Sequence, residues 1–129
     1  MGQQQLLLVI LVTVVVGVAT VVATDTLQQS RTNANKSAVR QDMMMILNDA
    51  LLYYQKPEAL GGGGQSFNGI TLSQIHSVKS PNKNGAYQLN STKHSLTVNG
   101  INAATDDTLL ATATMTDGDI VISWEKTDN

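Results

Sequence analysis

The sequence predicts an α+β protein in which a long N-terminal hydrophobic helix packs on a small antiparallel β-sheet of about four strands. Three observations support this fold class. Residues 6–23 carry no charge and no proline, and residues 38–56 place apolar side chains at helical spacing. After four consecutive glycines at 61–64, apolar and polar residues alternate as they do in half-buried strands.

The apolar segment, residues 6–23, is the most distinctive part of the chain. A helix over this range spans about 27 Å at 1.5 Å per residue, close to the hydrocarbon thickness of a bilayer. A backbone that crosses lipid must satisfy its own hydrogen bonds, so we expect a helix despite the many valines. We therefore divide the chain into a hydrophobic half-helix, residues 1–24, and a globular head, residues 25–129.

The residues that flank the apolar segment do not decide whether it is a cleaved signal or a retained membrane anchor. The small residues Ala19 and Ala23 are compatible with a cleavage site, so a secretory signal is an alternative to a retained membrane anchor. No Lys or Arg precedes Leu6, and the first basic residue after the segment is Arg31. Taken literally, the positive-inside rule would keep the head in the cytoplasm, in conflict with its export.

The head begins with the second part of the helix, which we expect to end near residue 56 because Pro57 cannot continue it. Apolar residues recur there at three- and four-residue spacing and predict one face packed on the sheet. The glycines at 61–64 form a loop, and Gln65-Ser66 replaces the Lys-Ser/Thr pair of a phosphate-binding loop. The predicted head core comprises Met43, Ile46, Leu47, Ala50, Tyr54, Ile120, Ile122 and Trp124.

The sheet is expected to cover about residues 86–126. Asp117-Gly118 between two alternating runs is the strongest hairpin signal in the chain. Asn99-Gly100 predicts a second turn on the same grounds. One face of such a sheet should be solvated, and the other should lie on the helix.

No residue pattern predicts catalysis, a cofactor or a metal site, and we expect a protein that is not an enzyme. The net charge of −2 gives no electrostatic argument for nucleic acid. The chain has no cysteine, which excludes disulfides, Fe–S clusters and thiolate zinc sites. Neither His76 nor His94 has a carboxylate beside it in sequence. Asp117 and Asp119 are compatible with calcium, but a hairpin turn favours Asp for backbone reasons alone.

Met1 to Gln5 read Met-Gly-Gln-Gln-Gln directly before the apolar helix. This N-terminus resembles that of type IV pilins and pseudopilins. Residues 38–67, with Leu51-Leu52-Tyr53-Tyr54 and the four glycines, are similar to pilin-like proteins that begin with the same five residues. The resemblance implies cleavage between Gly2 and Gln3 by a prepilin peptidase. It also implies insertion in the cytoplasmic membrane, followed by export into an extracellular filament by a pilus assembly machinery.

By the same resemblance, the chain's main partner is itself, in a helical homopolymer built through the N-terminal helix. The implied assembly contacts are Gln3, Gln4, Gln5, Leu6, Leu7, Val9, Ile10, Val14, Gly17 and Val21. Two other functions stay open: a pseudopilin of a secretion or DNA-uptake system, and a single-span membrane protein with a small binding or sensor domain. The chain departs from the family pattern in having only Met1 before Gly2 and no acidic residue at the start of the helix.

Overall fold

The computed structural model describes residues 2–127 and confirms the α+β class. Helix α1 spans Gly2–Gln55 and is followed by two short 3₁₀ turns, Glu58–Leu60 and Leu72–Gln74. Four strands then complete the fold: β1 (Gly85–Ser91), β2 (Ser95–Asn102), β3 (Thr108–Thr116) and β4 (Asp119–Thr127). By its internal contacts the chain divides into two compact units, one up to Ala34 and one from Asn35 onward, which we describe separately.

The described part of the first unit is the N-terminal portion of α1, which is helical without interruption, including at Gly17. In the second unit α1 ends at Gln55, where Pro57 removes a backbone donor and disfavours helical geometry in the residue before it. The Lys56 N–H still donates to the Leu52 carbonyl, 3.0 Å away, and closes the last turn.

The head core lies between α1 and one face of the sheet. The buried helix residues recur at three- and four-residue spacing, which places them on one side of α1: Val39, Asp42, Met43, Ile46, Leu47, Ala50 and Tyr54. They meet Leu96, Val98, Ala111 and Ala113 from the central strands, and Phe67, Ile70, Ile75 and Val78 from the loops. Each fully buried Leu, Ile or Phe side chain contributes roughly 1.5–3 kcal/mol, so this face fixes the helix on the sheet.

The sheet is fully antiparallel in the order β1-β2-β3-β4. Asp117 and Gly118 join β3 to β4 and confirm the predicted hairpin. Their φ angles of 52° and 87° are both positive, as a two-residue type I′ turn requires. Thr116 pairs with Asp119 directly across this turn.

The predicted turn at Asn99-Gly100 is wrong, because both residues lie inside β2. Gly100 pairs with Tyr87 on one side and with Leu109 on the other. A Cβ atom at Gly100 would lie 2.7 Å from Met43 Sδ and 2.9 Å from Val39 Cγ1. The absence of a side chain at Gly100 therefore lets the helix approach the sheet closely, which is a common reason for a glycine within a strand.

The residues assigned to the head core occupy three different environments. Met43, Ile46, Leu47, Ala50 and Tyr54 are buried, and Ile120 and Ile122 are partly buried against the core. Trp124 does not join them and is 39% exposed. Its strand, β4, is the edge of the described sheet, so its inward side chains are covered on one flank only. The Trp124 ring instead faces Arg40, whose Cζ lies 6.0 Å from the ring centroid.

Candidate functional site

The first candidate site is the apolar helix surface, which we define as the large apolar side chains between Leu6 and Val22. Each of them is between 57% and 66% exposed. α1 is the one described helix long and apolar enough to cross a membrane, and the rest of the described chain buries none of its apolar window. By its length and composition, this part of α1 could anchor in a membrane.

The two hydroxyl groups within this surface are satisfied by the helix itself. Thr13 Oγ1 donates to the Val9 carbonyl and Thr20 Oγ1 donates to the Val16 carbonyl, each over 2.8 Å. These bonds to the carbonyl four residues earlier are the usual way a helix accommodates threonine in an apolar environment. The segment can therefore enter lipid or a dry protein interface without exposing an unpaired hydroxyl.

The residues implied as processing and assembly sites all lie in the N-terminal part of α1 and are exposed. Gly2, Gln3, Gln4 and Gln5 form its first turn. The other implied contacts, from Leu6 to Val21, are distributed around the helix, since successive helical residues point about 100° apart. A Cβ atom added at Gly17 would meet nothing within 4 Å outside its own helix. The structure thus brings these residues together on one helix but on no single face of it.

A second candidate site, the Asp42 cluster, was missed from the sequence. Asp42 is 7% exposed and accepts three hydrogen bonds at Oδ2. The Tyr87 hydroxyl donates over 2.7 Å, and the Nδ2 atoms of Asn82 and Asn84 each donate over 2.9 Å. Its position in the sequence could have identified it. Asp42 follows Val39 by three residues and precedes Ile46 by four, which places it on the helix face predicted to be buried.

The cluster holds its two titratable groups in opposite protonation states. Burial raises the pKa of Asp42, but the bonds from Asn84, Tyr87 and Asn82 outweigh it and leave the pKa below its ordinary value. Burial and the neighbouring Asp42 carboxylate raise the pKa of the Tyr87 hydroxyl far above its ordinary value. At neutral pH the acid is ionised and the phenol is protonated, so the pair ties α1 to β1 and has no proton to exchange.

Asp49 makes a second tie, between α1 and the loop before β1. Its Oδ2 accepts the backbone N–H groups of His76 and Ser77, over 2.9 Å and 2.8 Å. Burial raises the pKa of Asp49, but these bonds and the nearby His76 lower it more, so the carboxylate stays ionised. Both carboxylates therefore act in holding the head together.

No metal centre is evident in the part of the chain that the structure describes. Within residues 2–127 no group of three or more His, Cys, Asp or Glu side chains is placed to hold an ion. Asp117 and Asp119 lie at the β3–β4 turn, where their backbone role accounts for them.

Comparison with family models, with curated proteins and with solved structures finds no match for this chain. What the structure defines is an architecture: a long N-terminal apolar helix and a four-stranded antiparallel sheet, compatible with that of pilin-like proteins.

Proposed function

We propose that the chain is a structural subunit of an extracellular type IV pilus-like filament. One observation carries the proposal: the apolar helix surface is exposed on all sides of α1 and is covered by no described part of its own chain. Burying one aliphatic side chain gains roughly 1.5–3 kcal/mol, so leaving more than a dozen in water is not sustainable. Lipid covers them before assembly, and the helices of other copies cover them in the filament.

Two features favour a filament over a permanent anchor. The apolar surface carries no charge, and its hydroxyls are bonded within the helix, so close packing with other copies leaves no buried ion and no unpaired hydroxyl. The side-chain oxygens of the glutamines at its start can accept from the unpaired first N–H groups of neighbouring helices, and their amide groups can donate to other acceptors there. The resemblance of the Met-Gly-Gln-Gln-Gln start to pilins supports the same function.

In this proposal each of the two units has its own role. The apolar unit polymerises, after cleavage between Gly2 and Gln3 by a prepilin peptidase and extraction from the membrane by the assembly machinery. The head supplies a folded outer surface. The two carboxylate ties serve this role, since they fix α1 to the loops and to β1 without catalytic chemistry.

Electron microscopy of filaments sheared from cells that express the chain tests the proposal directly. We expect filaments whose density is fitted by this fold, with α1 in the core. Mass spectrometry of the same filaments reports whether the chain begins at Met1 or Gln3. A chain found only as a monomer in the membrane fraction would overturn the filament proposal and favour a single-span binding protein.

The contact role of the first turn is tested by replacing Gln3, Gln4 and Gln5 with Ala. We expect intact membrane insertion but a large loss of filaments, because the replaced amides no longer pair with neighbouring helices. Replacement of Gln28 and Gln29 with Ala, in an exposed part of the same helix, is the matched control. Normal filament yield from the triple variant would show that these glutamines are not assembly contacts.

A further inference from the structure

The head contains three Asn-Gly pairs, at residues 68–69, 84–85 and 99–100. In such a pair the asparagine side chain can react with the backbone nitrogen that follows it, because glycine has no side chain to shield that nitrogen. The reaction requires an asparagine side chain and a glycine N–H that are free of hydrogen bonds, and a backbone that can rotate. The structure places the three pairs in different environments, so it distinguishes which of them can react.

The pair Asn68-Gly69 is exposed in the loop between the glycines at 61–64 and the second 3₁₀ turn. Within the described structure the Asn68 side chain makes no hydrogen bond, and the Gly69 N–H has no acceptor. The residues on either side, Phe67 and Ile70, are buried in the head core. The pair is therefore an exposed tip between two fixed positions, with both reacting groups unpaired.

The other two pairs are held by the fold. Asn84 Nδ2 donates to the Asp42 carboxylate over 2.9 Å, and the Gly85 N–H donates to a side-chain oxygen over 3.1 Å. The pair at 99–100 lies inside β2, which is hydrogen-bonded to β1 on one side and to β3 on the other. In both pairs the backbone can rotate only if neighbouring structure opens first.

We propose that Asn68 is a site of spontaneous deamidation. The Gly69 backbone nitrogen attacks Asn68 Cγ, and a new C–N bond forms as the Cγ–Nδ2 bond breaks. Nδ2 leaves as ammonia and takes the hydrogen that the Gly69 nitrogen loses. Water then opens the resulting succinimide ring. Hydrolysis at Cγ gives aspartate, whereas hydrolysis at the backbone carbonyl carbon gives isoaspartate, in which the main chain runs through Cγ.

One hydrogen bond restrains this reaction. The Tyr53 hydroxyl donates to the Asn68 carbonyl over 3.1 Å. That carbonyl belongs to the same peptide group as the Gly69 nitrogen, and the peptide group has to rotate to bring the nitrogen to Cγ. Since the Gly69 N–H has no acceptor in the described structure, the bond from Tyr53 is the one that holds this peptide group. Tyr53 is therefore a positioning residue that slows the modification.

The products change the head in two ways. Both replace a neutral amide with a carboxylate at an exposed position. Isoaspartate also adds one carbon to the main chain between Phe67 and Ile70, which are 0% and 6% exposed. Because these two residues are packed in the core, the longer connection alters how the loop lies across the end of α1.

Incubation of the folded full chain in dodecyl maltoside micelles, in mildly alkaline buffer, tests the site. Peptide mass spectrometry at successive times reports the mass gained when an amide becomes a carboxylate. We expect this gain at Asn68 and at least tenfold less of it at Asn84 and Asn99. In the chain unfolded in urea, all three should react at similar rates, because the protection of the other two depends on structure. Equal rates at the three residues in the folded chain would overturn the proposal.

Two variants separate the chemistry at Asn68 from the restraint by Tyr53. Asn68→Gln, at an exposed position, should fold and abolish the modification at this loop, since the longer side chain disfavours the five-membered ring. Tyr53→Phe should speed deamidation of Asn68 by about fivefold, the effect of one neutral hydrogen bond. Tyr54→Phe, which removes a hydroxyl that is not bonded to Asn68, is the matched control and should leave the rate unchanged. An unchanged rate in Tyr53→Phe would overturn the role of Tyr53.

Discussion

The two units of the chain share one helix but differ in how its apolar side chains are arranged and covered. Between residues 6 and 22 the apolar side chains occupy the whole circumference of α1, and all are exposed. Between residues 39 and 54 the buried side chains form a stripe along one side. A stripe matches a single sheet face, whereas a helix that is apolar all round needs cover on every side. The pattern alone therefore separates the part of α1 that packs on a sheet from the part that could anchor in a membrane.

Polar groups show the same contrast. Thr13 and Thr20 bond to carbonyls of their own helix, four residues earlier. Asp42 and Asp49 bond to segments 27 to 45 residues away in sequence. The Thr13 and Thr20 hydroxyls thus need no tertiary partner, whereas the two carboxylates of the second unit depend on several segments folding together.

The largest difference between the units should appear when the same side chain is truncated in each. Leu47 is 1% exposed, and Leu47→Ala should cost about 2–5 kcal/mol in the free energy of unfolding of the head, since it leaves a cavity in the core. Leu7 is 66% exposed, and Leu7→Ala should leave that free energy unchanged. Urea unfolding in micelles, followed by the fluorescence of Trp124, the single tryptophan, measures both. Equal costs would show that the apolar surface helps to stabilise the head.

A smaller effect is expected from Asp42→Asn, which replaces a charged acceptor of three hydrogen bonds with a neutral amide. We expect a loss of about 1.5–3 kcal/mol at neutral pH, the range for one bond to a charged group, since the Asn oxygen can still accept from Tyr87. Asn48→Ala, at an exposed position of the same helix, is the control and should change little.

The stabilisation of the head by Asp42 should depend on pH, and its direction follows from the pKa of Asp42. The pKa of Asp42 is lower in the folded head than its ordinary value of 3.8, so the unfolded chain binds more protons in acid. The stabilisation by Asp42 is therefore present above about pH 4 and is lost as pH falls through the lowered pKa. Tyr87 has a raised pKa, so its contribution is lost only in strong alkali. Acid titration of the Asp42→Asn variant should show a flatter loss of stability; an unchanged acid profile would contradict the assignment.

The sequence predicted the parts of this structure that rest on local patterns. The apolar run, the helical stripe around Met43 and the Asp117-Gly118 turn each follow from residue types at fixed spacing. Gly100 was misassigned because a glycine that relieves crowding against Met43 has the same local signature as one that forms a turn. Trp124 was misplaced because alternation identifies the inner face of β4 but not its position at the sheet edge.

The Asp42 cluster could not be predicted in the same way. Asn82, Asn84 and Tyr87 are 40 to 45 residues from Asp42 in sequence, and only the packing of β1 and the loop before it against α1 brings them together. Polar sites of this kind depend on tertiary contacts, whereas the exposed apolar helix is visible in the sequence itself.

The smallest change that distinguishes the units is one methyl group, in Gly17→Ala. No atom outside its own helix lies within 4 Å of a Cβ placed there, so the variant clashes with nothing in the subunit. Alanine also favours the helix by about 1 kcal/mol over glycine, so insertion in the membrane should be normal. Head stability should be unchanged, because Gly17 lies in the first unit. If Gly17 contacts a neighbouring helix in the filament, as the resemblance implies, the added methyl group should lower filament yield several-fold. Counting filaments by electron microscopy against the amount of inserted subunit measures this effect. Normal yield would remove Gly17 from the assembly contacts.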